Sequence, residues 1–446
     1  MYLRVHIPCC HSPTPAAMTD RRSFIQRSAA LLGGLALHRS ASAAFPGIVP
    51  QRPFVDDLGD EEDFWRQIRA AYACSPTLIN LNNGGVSPAP RAAMEALDHY
   101  NRMCNEAPSY YMWRILDQDR EPLRMNLAAL AGVPSDELAI CRNATEALNT
   151  IIFGLPLVAG DEVVVSTYDY PNMANAWKQR ALRDGVKLVY ADPQLPSEDD
   201  GAMVEAYTSK FTAKTKLVHL THIVNWNGQI LPVRKIADEA HKRGIEVLCD
   251  AAHSFALLDY KIPDLGCDYW GTSLHKFLCA PFGNGLMWVR KEKIARIWPL
   301  LSNDKPQGED IRKFETLGTR SFPIEMATGY SLDLHNLIGP QRKQQRIHFL
   351  KNYWMDRVKD VPGLFFKTAQ NPAYSCAIGV FGIEGHKGVE LADQLFAKWK
   401  VHTVGIQRDG IPGIEAPFNQ VRVTPNVYTT TQELDRLVEG IRSIAK

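Results

Sequence analysis

The chain has 446 residues and a mass of 50.0 kDa, room for about two or three domains. Its 45% apolar and 22% charged residues are those of a folded globular chain and exclude a disordered or collagen-like one. Fifty lysines and arginines against 49 acids leave a net charge of +1, which gives a nucleic-acid binder no global charge to work with.

The chain opens on a predicted leader. Arg21-Arg22-Ser23-Phe24-Ile25 precedes an apolar run over 29–37 and then Ala41-Ser42-Ala43, the order of charged region, short apolar core and small-residue cleavage site. The core is too short to cross a bilayer, which takes about 20 apolar residues. The paired arginines resemble a twin-arginine (Tat) signal. That implies export through the Tat machinery to the periplasm or beyond, the alternative being a frayed terminal helix on a cytoplasmic protein. Cleavage after Ala43 removes five arginines (Arg4, Arg21, Arg22, Arg27, Arg39) and one acid, Asp20, leaving a mildly acidic chain. Nine cysteines are spread without a C-x-x-C pair, so neither a disulfide framework nor a zinc site is expected.

From residue 137 short β-rich runs alternate with amphipathic helical ones. Strands are predicted over 138–141, 162–166, 187–190, 217–221, 246–250 and 286–289, with helices over 145–153, 173–183, 204–211 and 233–243. Gly244 is placed to cap the last of these. Such alternation predicts an α/β fold with a mostly parallel sheet covered on both faces, binding ligands at the carboxyl ends of its strands. Beyond residue 303 a helix-rich stretch (324–358) leads to strands at 364–367, 377–381 and 421–423 and helices over 389–400 and 432–444, a second, smaller α+β domain. The Pro/Gly-rich 409–417 reads as a loop reaching toward a cleft. The resulting division is leader 1–43, arm 44–76, large domain 77–305 and small domain 306–446.

Three motifs stand at the ends of predicted strands or, for the second, after the short apolar run over 268–271. In Val247-Leu248-Cys249-Asp250-Ala251-Ala252-His253, a carboxylate ends a hydrophobic strand. Its burial is costly unless something positive faces it, and a protonated pyridine nitrogen is one such partner; an ordinary helix cap is the alternative. Thr272-Ser273-Leu274-His275-Lys276-Phe277 lies ahead of a Gly-rich turn. A lysine there, flanked by Ser and His donors, can form a Schiff base once its pKa is lowered, although a surface lysine is the default for an isolated S-x-H-K. Arg142-Asn143-Ala144-Thr145-Glu146 stands at a strand-to-helix junction, where free N–H groups attract an anion. The same residues also suit a plain N-cap box.

In this order the three motifs resemble the class V aminotransferase family of pyridoxal-phosphate (PLP) enzymes, fold type I, from about Leu81-Asn82-Asn83-Gly84-Gly85 to the C-terminus, nearly the whole expected mature chain. The resemblance implies a large domain with a seven-stranded, mostly parallel sheet and PLP bound to Lys276. It gives Asp250 as partner of the ring nitrogen and His253 and Asn225 at the ring oxygen. Ala144, Thr145, Ser273 and His275 then hold the phosphate, and Tyr170 stacks on the ring. Thr319, in Gly318-Thr319-Arg320, would reach the phosphate of a neighbouring subunit, which implies a homodimer with its active site at the interface. Arg422 would bind the carboxylate of a small amino-acid substrate, a task that suits its planar fork; a surface ion pair is the plain alternative.

The chain departs from relatives that remove sulfur from cysteine. No cysteine lies between Cys376 and the C-terminus, and Cys376 falls in a predicted strand. The Gly-Thr-Arg turn and the Asn-Gly-Gly segment are closer to the isopenicillin N epimerase-like branch. Epimerisation or transamination at Cα is therefore the leading expectation, β-elimination by a C–S lyase the second. A PLP-fold protein that binds ligands without turnover is the alternative outside enzymes.

Overall fold

A computed structural model describes residues 61–408 and 418–446. The leader and the 409–417 loop lie outside the described residues.

The described chain begins with helix α1 (Glu62–Ala70), strand β1 (Ile79–Asn80) and helices α2 (Arg91–Glu106) and α3 (Asp117–Ala131), with a π-helical turn over Tyr111–Leu116 before α3. Then the predicted alternation sets in: β2 (Leu138–Cys141), α4 (Ala144–Gly154), β3 (Glu162–Ser166), α5 (Pro171–Asp184), β4 (Lys187–Ala191), α6 (Asp200–Thr208), β5 (Thr215–Thr221), α7 (Val233–His241), β6 (Glu246–Asp250), α8 (Ile262–Leu265), β7 (Tyr269–Ser273) and β8 (Gly285–Val289). These seven strands form one sheet in the order β2-β8-β7-β6-β5-β3-β4, in which β8 alone runs antiparallel to its neighbours.

The strands read as apolar runs because both faces are covered. Val164, Val218, Leu220, Val247, Cys249 and Trp270 point into one core; the residues between them, Val163, Val165, Leu217, Leu248 and Tyr269, point into another, with Leu148 and Ile151 of α4 and Trp177 of α5. Every strand therefore ends at a fixed height against two layers of helix. That is what aligns the tips of β5, β6 and β7.

The remaining elements are α9 (Phe322–Ile338), α10 (Pro340–Asp356), β9 (Leu364–Phe366), β10 (Gly379–Ile383), α11 (Gly388–Trp399), β11 (Val401–His402), β12 (Val404–Arg408), β13 (Phe418–Val423) and α12 (Thr431–Ile444). Strands β12-β13-β10-β9 make an antiparallel sheet, and β1 pairs with β11. The helical stretch predicted over 324–358 is broken at Gly339 (φ +90°) and Pro340, where proline removes a helix donor. Helix α6 starts four residues earlier than predicted because Asp199 caps it, accepting from the Ala202 N–H at 3.1 Å. Cys376 precedes β10 rather than lying within it, and it is buried.

Candidate active site

The tips of β5, β6 and β7 and the N-terminus of α4 meet around Lys276. Asn143 caps α4 by accepting from the Glu146 N–H at 2.9 Å. The next free donor, the Ala144 N–H, bonds to Ser273 Oγ at 2.9 Å. This contact joins the helix terminus to the end of β7. Gly285 permits it, because a Cβ there would lie 2.6 Å from Asn143 Cα. Thr145 is half-buried on the same turn.

Asp250 is buried at the end of β6, with Oδ1 accepting from the Ala252 N–H at 2.9 Å. Burial raises its pKa, while His219 and Lys276 nearby pull it back down. Three residues on, His253 is buried and its Nε2 lies 2.9 Å from Lys276 Nζ. Burial lowers the His253 pKa well below the usual range, helped by the charges of Lys276 and Arg422, so the ring is neutral. Lys276 is half-buried, and desolvation brings its amine down to about 8, with Asp250 opposing that shift and Arg422 adding to it.

The loop carrying Lys276 is clamped from outside. Cys279 adopts φ +59°, a left-handed conformation that costs a non-glycine residue energy. Ser331 Oγ donates to the Cys279 carbonyl at 2.9 Å, Lys343 Nζ donates to the Phe277 carbonyl, and Asn426 Nδ2 reaches Cys279 Sγ at 3.4 Å.

Arg422 enters from β13. Its Nη1 donates to the Asn225 carbonyl at 3.0 Å and its Nη2 to Asn82 Oδ1 at 3.1 Å, which fixes the plane of the guanidinium. Burial lowers its pKa to about 10. Tyr170 sits at the N-terminus of α5, 40% exposed, and its hydroxyl raises the Arg422 pKa. Thr319 is exposed on a turn at Gly318 (φ +68°) and makes no hydrogen bond to the other candidates among the described residues. The structure thus brings together ten of the eleven candidate residues named from sequence and leaves Thr319 apart.

Sequence reasoning missed four further residues here. Asn82 braces Arg422, though its Asn-Asn-Gly-Gly setting marks the segment. Asp169 and Thr221 form a buried hydrogen bond, and His219 accepts from Trp177 Nε1 at 3.4 Å beside Asp250. These three carry no local signal, since polar residues at strand ends are common.

The donor set fits PLP. His253 Nδ1, His275 Nδ1, Asn225 Oδ1, Arg422 Nε and Thr424 Oγ1 are all buried without hydrogen-bond partners. Unpaired buried polar atoms cost about 1–3 kcal/mol each, and the oxygens of a phosphorylated pyridine can accept from His253, His275, Arg422 and Thr424, and from the Asn225 amide once it is turned to present Nδ2. Gly84 leaves room, since a Cβ there would lie 3.2 Å from Thr424 Oγ1 and 3.4 Å from His253 Cε1. Two surface clefts of about 300 and 350 Å³, lined in part by His222 and Tyr374 and by Arg69 and Tyr72, contain none of the candidate residues. Chemistry rather than concavity marks this site. Among the described residues no His/Cys/Asp/Glu cluster could hold a metal ion, and no helix is long and apolar enough to cross a membrane.

A sequence model of the family described as aminotransferase class-V matches residues 79–406. The chain is 27% identical over 398 residues to the isopenicillin N epimerase of Streptomyces clavuligerus, spanning 85% of this chain and 98% of the relative. It is 28% identical over 392 residues to a probable cysteine desulfurase of Halalkalibacterium halodurans, spanning 82% and 92%. Among solved structures it superposes on a mutant of C-DES with glycine covalently linked to the PLP cofactor, at a TM-score of 0.74 and 19% identity over 84% of this chain and 98% of that one. The apo cysteine desulfurase of Thermococcus onnurineus gives 0.73 and 20% over 86% and 98%. At such identities the structural likeness concerns the fold.

Proposed function

The chain belongs to the class-V aminotransferases, PLP-dependent enzymes of fold type I, and on that premise we propose that it acts at Cα of an amino acid or a compound derived from one. In this reading Asp250 holds the proton on the ring nitrogen, and His253 and Asn225 meet the ring oxygen. Ala144, Thr145, Ser273 and His275 hold the phosphate, while Tyr170 lies over the ring. PLP, attached to Lys276, supplies the sink for the electron pair released at Cα.

The chain's own residues do the rest. Arg422 orients the substrate carboxylate through its free Nε edge, while Asn82 and the Asn225 carbonyl keep the fork from turning. Lys276, once free, takes the Cα proton as general base; an amine with a pKa near 8 is suited to that near neutral pH. His253 holds that amine in place. The observation that carries the proposal is this pairing of a desolvated amine with a buried, braced guanidinium facing the same space.

Epimerisation or transamination stands ahead of desulfuration. The last cysteine, Cys376, is buried with its thiol pushed up to about 12 by burial, which suits packing and not nucleophilic attack. β-Elimination uses the same residues and needs no cysteine. Incubating the PLP-loaded protein with L- and D-amino acids in D₂O, read by mass spectrometry, tests the proposal. Deuterium at Cα with inversion, or else formation of the keto acid, is expected, and released thiol would move the assignment to a C–S lyase. Failure of every amino acid to exchange would leave a PLP-fold binding protein and overturn the enzyme reading.

A homodimer with Thr319 reaching the partner's phosphate completes the proposal. Val86, Met94, Tyr110, Trp113 and Phe282 are large exposed apolar side chains available to such a partner. Sedimentation tests it, and a monomeric active enzyme overturns it. Export by the twin-arginine route rests on the leader residues alone. Cell fractionation of the natural chain against Arg21→Lys plus Arg22→Lys tests it, cytoplasmic location of the natural chain being the adverse result.

A further inference from the structure

A polar layer lies beside Asp250 on the sheet face covered by α4 and α5. Thr221 on β5 and Asp250 on β6 are register partners, so their side chains leave the same face of adjacent strands, about 4.8 Å apart. Thr221 Oγ1 donates to Asp169 Oδ1 at 2.9 Å, and Asp169 Oδ2 accepts from the Ser166 N–H at 2.7 Å. Asp169 is 5% exposed and forms no ion pair with a lysine or arginine among the described residues. Its ionisable surroundings are Asp250 and the hydroxyls of Tyr190 and Tyr207, the Tyr207 hydroxyl also facing Ser166. Asp250 faces His219 and Lys276 as well. His219 is neutral, since burial lowers its pKa to about 4.

We propose that Asp169 is a positioning residue of this site: through Thr221, and through the turn that carries Tyr170, it sets the charge and geometry around Asp250. The ring nitrogen's proton is then held by the field of two carboxylates rather than one. The inference rests on the reading of Asp250 as partner of that nitrogen.

Geometry and cost support it together. A turn residue that only accepts from Ser166 could be exposed or uncharged. A buried carboxyl without a cation is expensive and persists where something offsets it. Burial holds Asp169 up to about 7, so it gains its charge near neutral pH. Once ionised it favours any positive charge in the site. The ring-nitrogen proton and the protonated Lys276 nitrogen are both held more tightly as pH rises through that point.

The test is a pH titration of the visible absorption of the PLP-loaded protein, for the natural chain, Asp169→Asn and Thr221→Val. Asparagine keeps the shape and the acceptor for Thr221, gives up the acceptor for the Ser166 N–H and cannot ionise. Its titration midpoint is expected to fall by about one pH unit, the scale of a charge about 8 Å away in a partly solvated site. Thr221→Val removes the hydrogen bond that stabilises ionised Asp169, so its midpoint is expected to fall less, in the same direction. Midpoints unchanged to within about 0.2 unit, with only a lower melting temperature, would reduce Asp169 to a turn staple and overturn the inference. If Asp169→Asn does not fold, Thr221→Val decides alone. Absence of any visible band in the natural chain would overturn the PLP reading itself, whereas a band with an unmoved midpoint overturns only the role of Asp169.

Discussion

The Lys276 amine lies 2.9 Å from Nε2 of His253, and both groups are brought by burial to their less charged forms. The two residues arrive from different strands, β7 and β6, whose ends are level because the sheet is packed on both faces. A neutral imidazole next to a weakened amine keeps that amine aimed without adding a second charge.

Replacing the amine tests its role directly. Lys276→Ala should abolish the visible absorption of bound PLP and reduce Cα-proton exchange by at least about 10²-fold, the range typical of removing a general base. The melting temperature should change little, since the lysine has no ion pair among the described residues. Absorption spectra and D₂O exchange on the same preparation check both outcomes.

The lowered pKa of Lys276 has a kinetic consequence. Only the unprotonated amine attacks an aldehyde, so uptake of PLP by apoprotein should speed up about tenfold per pH unit on approach to about 8 and level off above it. Stopped-flow absorbance across pH 6–10 follows this. A midpoint near the ordinary lysine value of 10.5 would show that burial does not weaken the amine.

Arg422 and Asn82 should separate binding from fixing. Arg422→Lys keeps a charge but loses the fork, and KM for an accepted amino acid should rise about 10²-fold, on the scale of a lost charged hydrogen bond. Asn82→Ala leaves the guanidinium in place with one brace gone, so a rise of about 3- to 10-fold is expected. Steady-state kinetics on both variants check the order. Equal effects would mean that Asn82 does more than brace.

Glu315 ties the Thr319 turn to the edge of the large sheet. It accepts from Arg120 and Arg124 and, through Oε1, from the Ile140 N–H at 2.7 Å. Burial raises the Glu315 pKa, but the two arginines outweigh it and bring the carboxyl below its ordinary value of 4.5. A depressed carboxyl pKa stabilises the fold above the unfolded value, and that contribution disappears as pH falls through the folded one. Glu315→Gln leaves Arg120 with Glu325 and Asp117 and Arg124 with Glu121, so it weakens the cluster without emptying it and should cost about 1–3 kcal/mol in urea denaturation at pH 7. The loss relative to the natural chain should shrink below about pH 4.

Gly285→Ala should also be felt at the cofactor. The added methyl would lie 2.6 Å from Asn143 Cα, so the N-terminus of α4 must move away from Ser273. A stability loss of about 1–3 kcal/mol is expected, with weaker PLP retention. Thermal denaturation and dialysis against buffer read the two effects.

Much of this was visible in the sequence. The strands that carry Asp250 and Lys276 are buried on both faces, so they appear as apolar runs, and the polar residues that end them stand out. Edge strand β12 was not legible. Val404-Gly405-Ile406-Gln407-Arg408 has no clear strand pattern, and Gly405 is there because a Cβ would lie 2.4 Å from Val389 Cα in α11. Strand β12 depends on pairing with β13.

By itself, then, the sequence marked most of the strand–helix alternation from residue 137 on and singled out the lysine, the aspartate, the helix terminus and the arginine as candidates, because each is written in local pattern or motif. Only the tertiary structure decided what surrounds them. Asp169 meets Thr221 from 52 residues away and Asn82 meets Arg422 from 340, contacts set by sheet register and the seating of the small antiparallel sheet. The desolvation that brings Lys276 to about 8 and Asp169 up to about 7 is likewise a property of the packed interior. No stretch of chain carries it, because the neighbours that exclude water come from every part of the fold.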